Sequence, residues 1–250
     1  MRPVGLLGLF TITMRVRGVI VNSPNNPTGR IYPPATLERL ATILDEASER
    51  NGRRIFLISD EPYNRIVYDG SRFRSPLEFY PWSFLAYSYG KTLLSPGERI
   101  GYLAIAPTMP SRKQFRDAIE AVQISGGWLF PNVSMQYALP RLEQLEFDIE
   151  LFQRKRDTMV AALRKIGYSL SVPEGTFYLF PESPLTDDVA FTQALDREGV
   201  LVLPGRMFET PGFFRISLTA TMGSIEAGIP RFAAAYRAVE AGEATPVQAG

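Results

Sequence analysis

Three short segments place chemically capable side chains directly after apolar runs. Residues 18–22 (Gly-Val-Ile-Val-Asn) lead into Asn25-Asn26-Pro27-Thr28-Gly29, and residues 54–59 lead into Asp60-Glu61-Pro62-Tyr63. Residues 84–88 end at Ser88 and lead to Lys91. An amide, a carboxylate with a phenol, and a hydroxyl with a primary amine can together hold a polar ligand and move protons. In an open α/β sheet, ligands bind outside the carboxyl ends of the strands. Asn26, Asp60, Tyr63, Ser88 and Lys91 are therefore expected to face one crevice. Arg99, just beyond Lys91, and Arg215 in Phe-Phe-Arg-Ile-Ser-Leu add two permanently charged guanidinium groups.

Each segment also has an ordinary reading. Asn-Pro-Thr-Gly is common turn chemistry, Asp-Glu-Pro-Tyr can open a helix, and Ser-Tyr-Gly-Lys can be a polar turn with a solvated lysine. Arg99 can be a surface charge, and Arg215 a charge on an edge strand.

The elements expected to position these residues begin with a βαβ unit. Residues 34–50 repeat apolar positions at Leu37, Leu40, Leu44 and Ala47, start at a proline and end before Asn51-Gly52, which spells a helix. The flanking runs 18–22 and 54–59 are continuously apolar, as expected of parallel strands covered on both faces. Runs 84–88 and 100–106 are joined by too short a link for a crossover helix, so that pair is expected to be antiparallel. Helices are expected over 111–125 and over 133–166, the second interrupted at Pro140. After Gly167 come short strands at 177–180, 200–203 and 214–218, with helices at 188–198 and 224–239.

Composition removes many chemistries. The chain has 250 residues, 45% of them hydrophobic, enough for one large domain or two modest ones. It has 27 basic and 26 acidic residues, a balance that points to neither a nucleic-acid nor an anionic-membrane partner. No cysteine means no disulfide, thiolate nucleophile or Cys-ligated metal, and no histidine means no imidazole base, His-ligated metal or Ser-His-Asp triad. No metal site is expected. Proton transfer must rest on lysine, carboxylate, tyrosine or a bound cofactor. The apolar stretch at 4–12 is too short to span a bilayer and is read as a strand-like lead-in rather than an export signal.

Taken in order, the segments Ser-Pro-Asn-Asn-Pro-Thr-Gly, Ser-Asp-Glu-Pro-Tyr, Ser-Tyr-Gly-Lys-Thr-Leu-Leu-Ser-Pro-Gly-Glu-Arg-Ile-Gly-Tyr, Pro-Glu-Gly-Thr-Phe-Tyr and Phe-Arg-Ile-Ser-Leu resemble the class I/II aminotransferases of the fold-type-I pyridoxal-phosphate-dependent enzymes. The resemblance runs over residues 15–236. It implies an α/β fold: a partial large, cofactor-binding domain with a mostly parallel sheet over 15–145, then a connecting helix and a small α+β domain over 146–240. Residues 1–14 and 241–250 would be lead-in and tail.

The resemblance also implies roles. Lys91 would attach pyridoxal 5′-phosphate and, once released by an amino acid, carry the substrate's Cα proton to the cofactor's C4′. Asp60 would keep the pyridine nitrogen protonated, while Tyr63 and Asn26 would hydrogen-bond the ring's phenolic oxygen. Ser88 and Arg99 would hold the phosphate, Arg215 would grip the substrate α-carboxylate bidentately, and Asn26 would bind substrate as well as cofactor. The implied partners are an amino acid and a 2-oxo acid, in a cytoplasmic homodimer with neither nucleic acid nor membrane attached. A carbon–sulfur lyase or decarboxylase would use the same cofactor residues. A catalytically silent fragment is a further alternative. The effector domain of a transcription regulator is disfavoured, because no basic helix-turn-helix precedes the motifs.

Two features depart from the family pattern. Gly90 stands where many relatives have serine, which removes one phosphate donor but suits a tight strand-end turn. The Asn-Pro-Thr-Gly loop also comes unusually early. In the family a long preceding portion supplies a glycine-containing phosphate turn, an aromatic residue that stacks on the ring, part of the small domain and much of the dimer contact. The chain is therefore expected to be an N-terminally truncated member, its sheet short of strands and its apolar surface partly uncovered.

Overall fold

The computed structural model describes residues 12–128 and 131–242. Most of the expected lead-in and tail lie outside the described residues. The protein divides into two compact units. The first holds the residues up to Pro24 together with Ile31–Phe147, and the second holds Asn25–Arg30 together with the residues from Asp148 onward.

The first unit is built on a four-stranded sheet in the order β1 (Gly18–Asn22), β2 (Phe56–Asp60), β3 (Ser83–Ser88), β4 (Gly101–Ile105). β1, β2 and β3 are parallel, with Asn22 opposite Asp60 and Asp60 opposite Ala86. β4 runs antiparallel to β3, with Ser88 opposite Gly101, as the short link between them requires. The register thus sets Asn22, Asp60 and Ser88 at one end of three neighbouring strands.

α1 (Pro34–Arg50) is the crossover helix. It starts with Pro34 in its first turn and buries Leu37, Leu40, Ala41, Leu44 and Ala47, the stripe its sequence spacing specifies. Leu40, Ala41, Leu44 and Ala47 pack with Ile55, Leu57 and Tyr80 into one core. A fully buried leucine such as Leu44 contributes roughly 1.5–3 kcal/mol by leaving water. Ser48 locks the helix to β2: its hydroxyl donates to the Leu44 carbonyl at 2.6 Å and accepts from Ile55 N–H at 3.0 Å. Phe56 sends its ring elsewhere, into a cluster with Trp82, Phe84 and Phe115 of α3 (Arg112–Ser125).

Coverage of this sheet is incomplete among the described residues. The expectation that both faces of the first strand are covered does not hold, since Ile20 in β1 is 70% exposed. Leu103 and Tyr102 of β4 are also exposed.

The expected long helix over 133–166 is two helices, α4 (Val133–Leu142) and α5 (Ile149–Ile166). The break does not fall at Pro140, which sits inside α4. Proline forfeits one backbone hydrogen bond but does not stop the few residues that follow. The new helix begins where Asp148 accepts the Leu151 N–H at 2.8 Å, an N-cap that overrides the apolar periodicity.

In the second unit, β5 (Tyr178–Leu179), β7 (Phe214–Ser217) and β6 (Leu203–Pro204) form an antiparallel sheet in that spatial order. β5 and β6 are shorter than the apolar runs at 177–180 and 200–203 suggest. α5, α6 (Asp188–Arg197) and α7 (Met222–Glu240) complete the unit. Tyr168 lies at its centre, with Phe191, Phe214, Phe232 and Tyr236 within ring contact, and its buried hydroxyl donates to the Phe232 carbonyl at 3.0 Å. The mostly parallel sheet followed by a smaller α+β portion is the α/β class expected from the sequence. No described helix is long and apolar enough to cross a membrane.

Candidate active site

In the first unit the chemistry gathers where β2 and β3 end. Asp60 is the last residue of β2, and Asn22, opposite it on β1, donates from Nδ2 to the Asp60 backbone oxygen at 3.1 Å and to Oδ2 at 3.0 Å. Burial pushes the Asp60 carboxyl above its ordinary value, while the Asn22 hydrogen bond and the positive charge of Lys91 pull it back. The carboxylate is thus poised beside an amine, held by an amide whose importance the sequence did not reveal. Asn22 reads as an unremarkable strand end until the register sets it opposite Asp60.

Lys91 sits on α2 (Tyr89–Thr92), a single helical turn that opens as β3 ends. The sequence suggested a tight turn there, and the added helical turn follows from Ser88, whose Oγ accepts the Gly90 N–H at 3.3 Å. Lys91 Nζ lies 5.7 Å from the ring centre of Tyr63, which is almost fully buried. Gly90 packs closely: a Cβ there would lie 3.1 Å from Pro96 Cα. Gly101, in the same motif, is demanded by strand pairing, because a Cβ would overlap the Tyr87 carbonyl oxygen.

Ser88 and Arg99 are not joined by a hydrogen bond. The Ser88 hydroxyl caps the lysine turn, and Arg99, exposed and in a left-handed conformation at φ 50°, donates from Nη1 to the Pro96 carbonyl at 3.1 Å. Tyr87, Tyr89 and Tyr102 pack together beside the lysine turn, and Tyr87 Oη lies 2.9 Å from Thr92 Oγ1.

Glu61 is a buried acid that sequence reasoning passed over. Ser75 Oγ donates to its Oε1 at 2.6 Å and Asn64 Nδ2 to its Oε2 at 3.3 Å, yet burial still holds its carboxyl above the ordinary value of 4.5. A carboxyl with a raised folded pKa binds its proton more tightly in the native than in the unfolded chain. Its contribution to stability is therefore complete below pH 4.5 and is lost as pH rises through the folded pKa. Glu61→Gln is expected to remove that slope. The glutamine carbonyl can still accept from Ser75, and its amide can donate to Asn64 Oδ1, which has no partner of its own, after that amide flips. Urea midpoints measured from pH 4 to pH 8 should show the variant gaining on the parent as pH rises. Parallel profiles would refute the assignment.

In the second unit, two distant motifs meet. The Gly29 carbonyl of the Asn-Pro-Thr-Gly loop accepts the N–H groups of Glu174 and Gly175 at 2.9 and 3.0 Å. Gly29 has φ 68°, and a Cβ there would overlap Pro173 and approach the Gly175 carbonyl oxygen to 2.8 Å. Buried Arg156 donates to the Pro173 carbonyl at 3.2 Å. In the same loop Thr176 holds φ 66°, a strained value for a β-branched residue, and its Oγ1 accepts the Tyr178 N–H at 3.2 Å. Arg215 donates from Nη1 to Asn26 Oδ1 at 2.8 Å, so these two expected site residues are brought together. The rings of Tyr178 and Phe208, which sequence reasoning did not assign to a site, lie 4.1 and 4.5 Å from the Arg215 guanidinium carbon. Tyr178 stands in the Pro-Glu-Gly-Thr-Phe-Tyr motif, and that was the available signal.

The sequence of the chain matches a family model. The model for aminotransferase class I and II covers residues 10–231. The chain belongs to this family. Among curated relatives, it is 32% identical over 234 residues to a probable aspartate/prephenate aminotransferase of Aquifex aeolicus, covering 88% of this chain and 57% of that protein. It is 33% identical over 235 residues to the aspartate/prephenate aminotransferase of Thermus thermophilus, covering 89% and 57%. An aminotransferase structure from Eubacterium rectale superposes with a TM-score of 0.85 at 33% identity, covering 92% of this chain and 57% of that one. The aspartate aminotransferase of Thermotoga maritima gives 0.79 at 28% identity, covering 90% and 58%. This class I/II aminotransferase chain thus spans little more than half the length of the relatives it matches.

Proposed function

We propose that the chain carries the lysine and the substrate-carboxylate machinery of a pyridoxal-phosphate-dependent aminotransferase, which moves an amino group between an amino acid and a 2-oxo acid. The observation that carries this reading is the placement of Lys91 beside buried Tyr63, with its charge acting on Asp60 at the adjoining strand end. The donor set fits the cofactor. Lys91 offers a primary amine to an aldehyde, Asp60 offers a carboxylate to a protonated ring nitrogen, and Tyr63 offers a hydroxyl to the ring oxygen. Ser88 and Arg99 offer a hydroxyl and a guanidinium for the phosphate.

When bound, the cofactor supplies an electron-accepting ring that stabilises the charge left on the substrate's Cα. The chain's own residues do the rest. With the cofactor in place, Lys91 Nζ would take the proton from the substrate's Cα and deliver it to the cofactor's aldehyde-derived carbon. Asp60, fixed in orientation by Asn22, holds a proton on the ring nitrogen by charge. Arg215 takes the α-carboxylate, a role that suits its planar, permanently charged fork. The relatives are aspartate/prephenate aminotransferases by name, and we extend to this chain only the class, an amino acid with a 2-oxo acid. Association into a homodimer belongs to the same reading, supported by the exposed apolar side chains Val122, Trp128 and Tyr137; a cytoplasmic location rests on the family resemblance alone.

The test is a product assay. Protein incubated with pyridoxal phosphate, an amino acid and a different 2-oxo acid should yield the new amino acid, followed by NMR. Formation of a 2-oxo acid and ammonia without consumption of the acceptor would assign elimination chemistry instead. No product from any amino acid, with the protein folded, would favour a silent chain.

A further inference from the structure

Arg215 occupies the middle strand of the second unit's sheet. Leu203 is opposite it on β6, and Tyr178 is opposite Ser217 on β5. Residues two apart on a strand share a face, so Tyr178 and Arg215 are diagonal neighbours on one side of the sheet. That register brings the Arg215 guanidinium carbon to 4.1 Å from the Tyr178 ring centre. Phe208 reaches the same carbon, at 4.5 Å, from the helical turn Gly205–Phe208 that follows β6. Asn26 Oδ1 then engages Nη1 at 2.8 Å, and no other acceptor meets this guanidinium among the described residues.

An arginine side chain has several rotatable bonds, and fixing them on binding costs affinity unless the fold has fixed them already. Two aromatic faces hold a guanidinium plane by cation–π attraction and leave its edge available. A hydrogen bond at one nitrogen stops rotation in that plane. The remaining N–H groups then point in a set direction, and a flat carboxylate is the anion that matches such an edge.

We infer that Tyr178 and Phe208 are positioning residues that hold Arg215 as a preformed carboxylate receptor, with Asn26 setting its rotation. This rests on the reading of Arg215 as the carboxylate ligand. The clamp lies within the second unit, so it acts on carboxylate affinity whether or not a cofactor is present. Phe208 is only partly buried, so its removal leaves the core of that unit intact.

The experiment measures pyruvate binding to the full chain by NMR titration, alongside the Nε–H signal of Arg215. Phe208→Leu and Tyr178→Leu should each weaken pyruvate binding about tenfold and broaden the Arg215 signal as the guanidinium begins to rotate. Phe208→Tyr and Tyr178→Phe keep a ring and should bind like the parent. Arg215→Ala should abolish binding, which tests the underlying reading separately. If Arg215→Ala or the parent itself shows no dependence on this residue, the carboxylate reading fails and takes the clamp with it. If Arg215→Ala loses binding while both leucine variants bind like the parent with a sharp Arg215 signal, the clamp alone is overturned. Should Phe208→Leu lose its thermal transition, Phe208→Met keeps the bulk without the ring and faces the same two readouts.

Discussion

Replacing Lys91 with alanine is expected to leave a folded chain that no longer develops a visible absorbance band with pyridoxal phosphate. Turnover should fall by roughly 10²–10⁴-fold, the usual effect of removing a proton-transferring group. The fold loses little, because Lys91 is only half-buried and its described contact is the Tyr63 ring at 5.7 Å. That makes the variant a clean probe of chemistry rather than of packing. Lys91→Arg sharpens the test, since it keeps a cation near Asp60 but replaces the amine with a group that stays protonated. Both variants should lack the band. A band of parental strength in Lys91→Ala would remove this lysine from the cofactor's chemistry.

The largest effect on stability is expected at Gly29. Alanine there must adopt a left-handed conformation and must also displace Pro173, whose side chain occupies the space a Cβ would fill. Left-handed strain and overpacking together should cost roughly 2–5 kcal/mol. Gly212 in the same unit is the control: its φ is 84°, but a Cβ there would meet nothing within 4 Å. Urea denaturation should show Gly29→Ala well below Gly212→Ala, because only the first carries the steric overlap. Equal losses in the two variants would show that the close approach of the two loops contributes nothing. Asn26 lies in the same loop and holds Arg215, so Gly29→Ala should also weaken carboxylate binding.

Much of this was legible in the residues, where the signal was local. The α1 stripe from Leu37 to Ala47 follows from helical spacing, and the antiparallel partner of β3 follows from a link too short for a crossover. Asp60, Lys91 and Arg215 stood out as candidates because each sits in a motif with fixed neighbours. What escaped reading depends on register and on distant partners. Asn22 matters because pairing sets it opposite Asp60, and no property of the segment 18–22 announces that. Tyr178 and Phe208 become a clamp only when three short strands align. Pro140 was misread for another reason: a proline is a strong local signal, but α4 runs through it, and the start of α5 is decided by where Asp148 can cap a new helix.

Asn25–Arg30 belongs to the second unit, although the residues on either side of it belong to the first. The backbone passes from one unit to the other at Pro24–Asn25, returns at Arg30–Ile31, and passes again at Phe147–Asp148. No single cut separates the units. A polypeptide beginning at Asp148 would lack the carbonyl that the Glu174 and Gly175 amides donate to, and would lack the amide that holds Arg215. The short loop works as a borrowed part, made by one stretch of sequence and folded into the other.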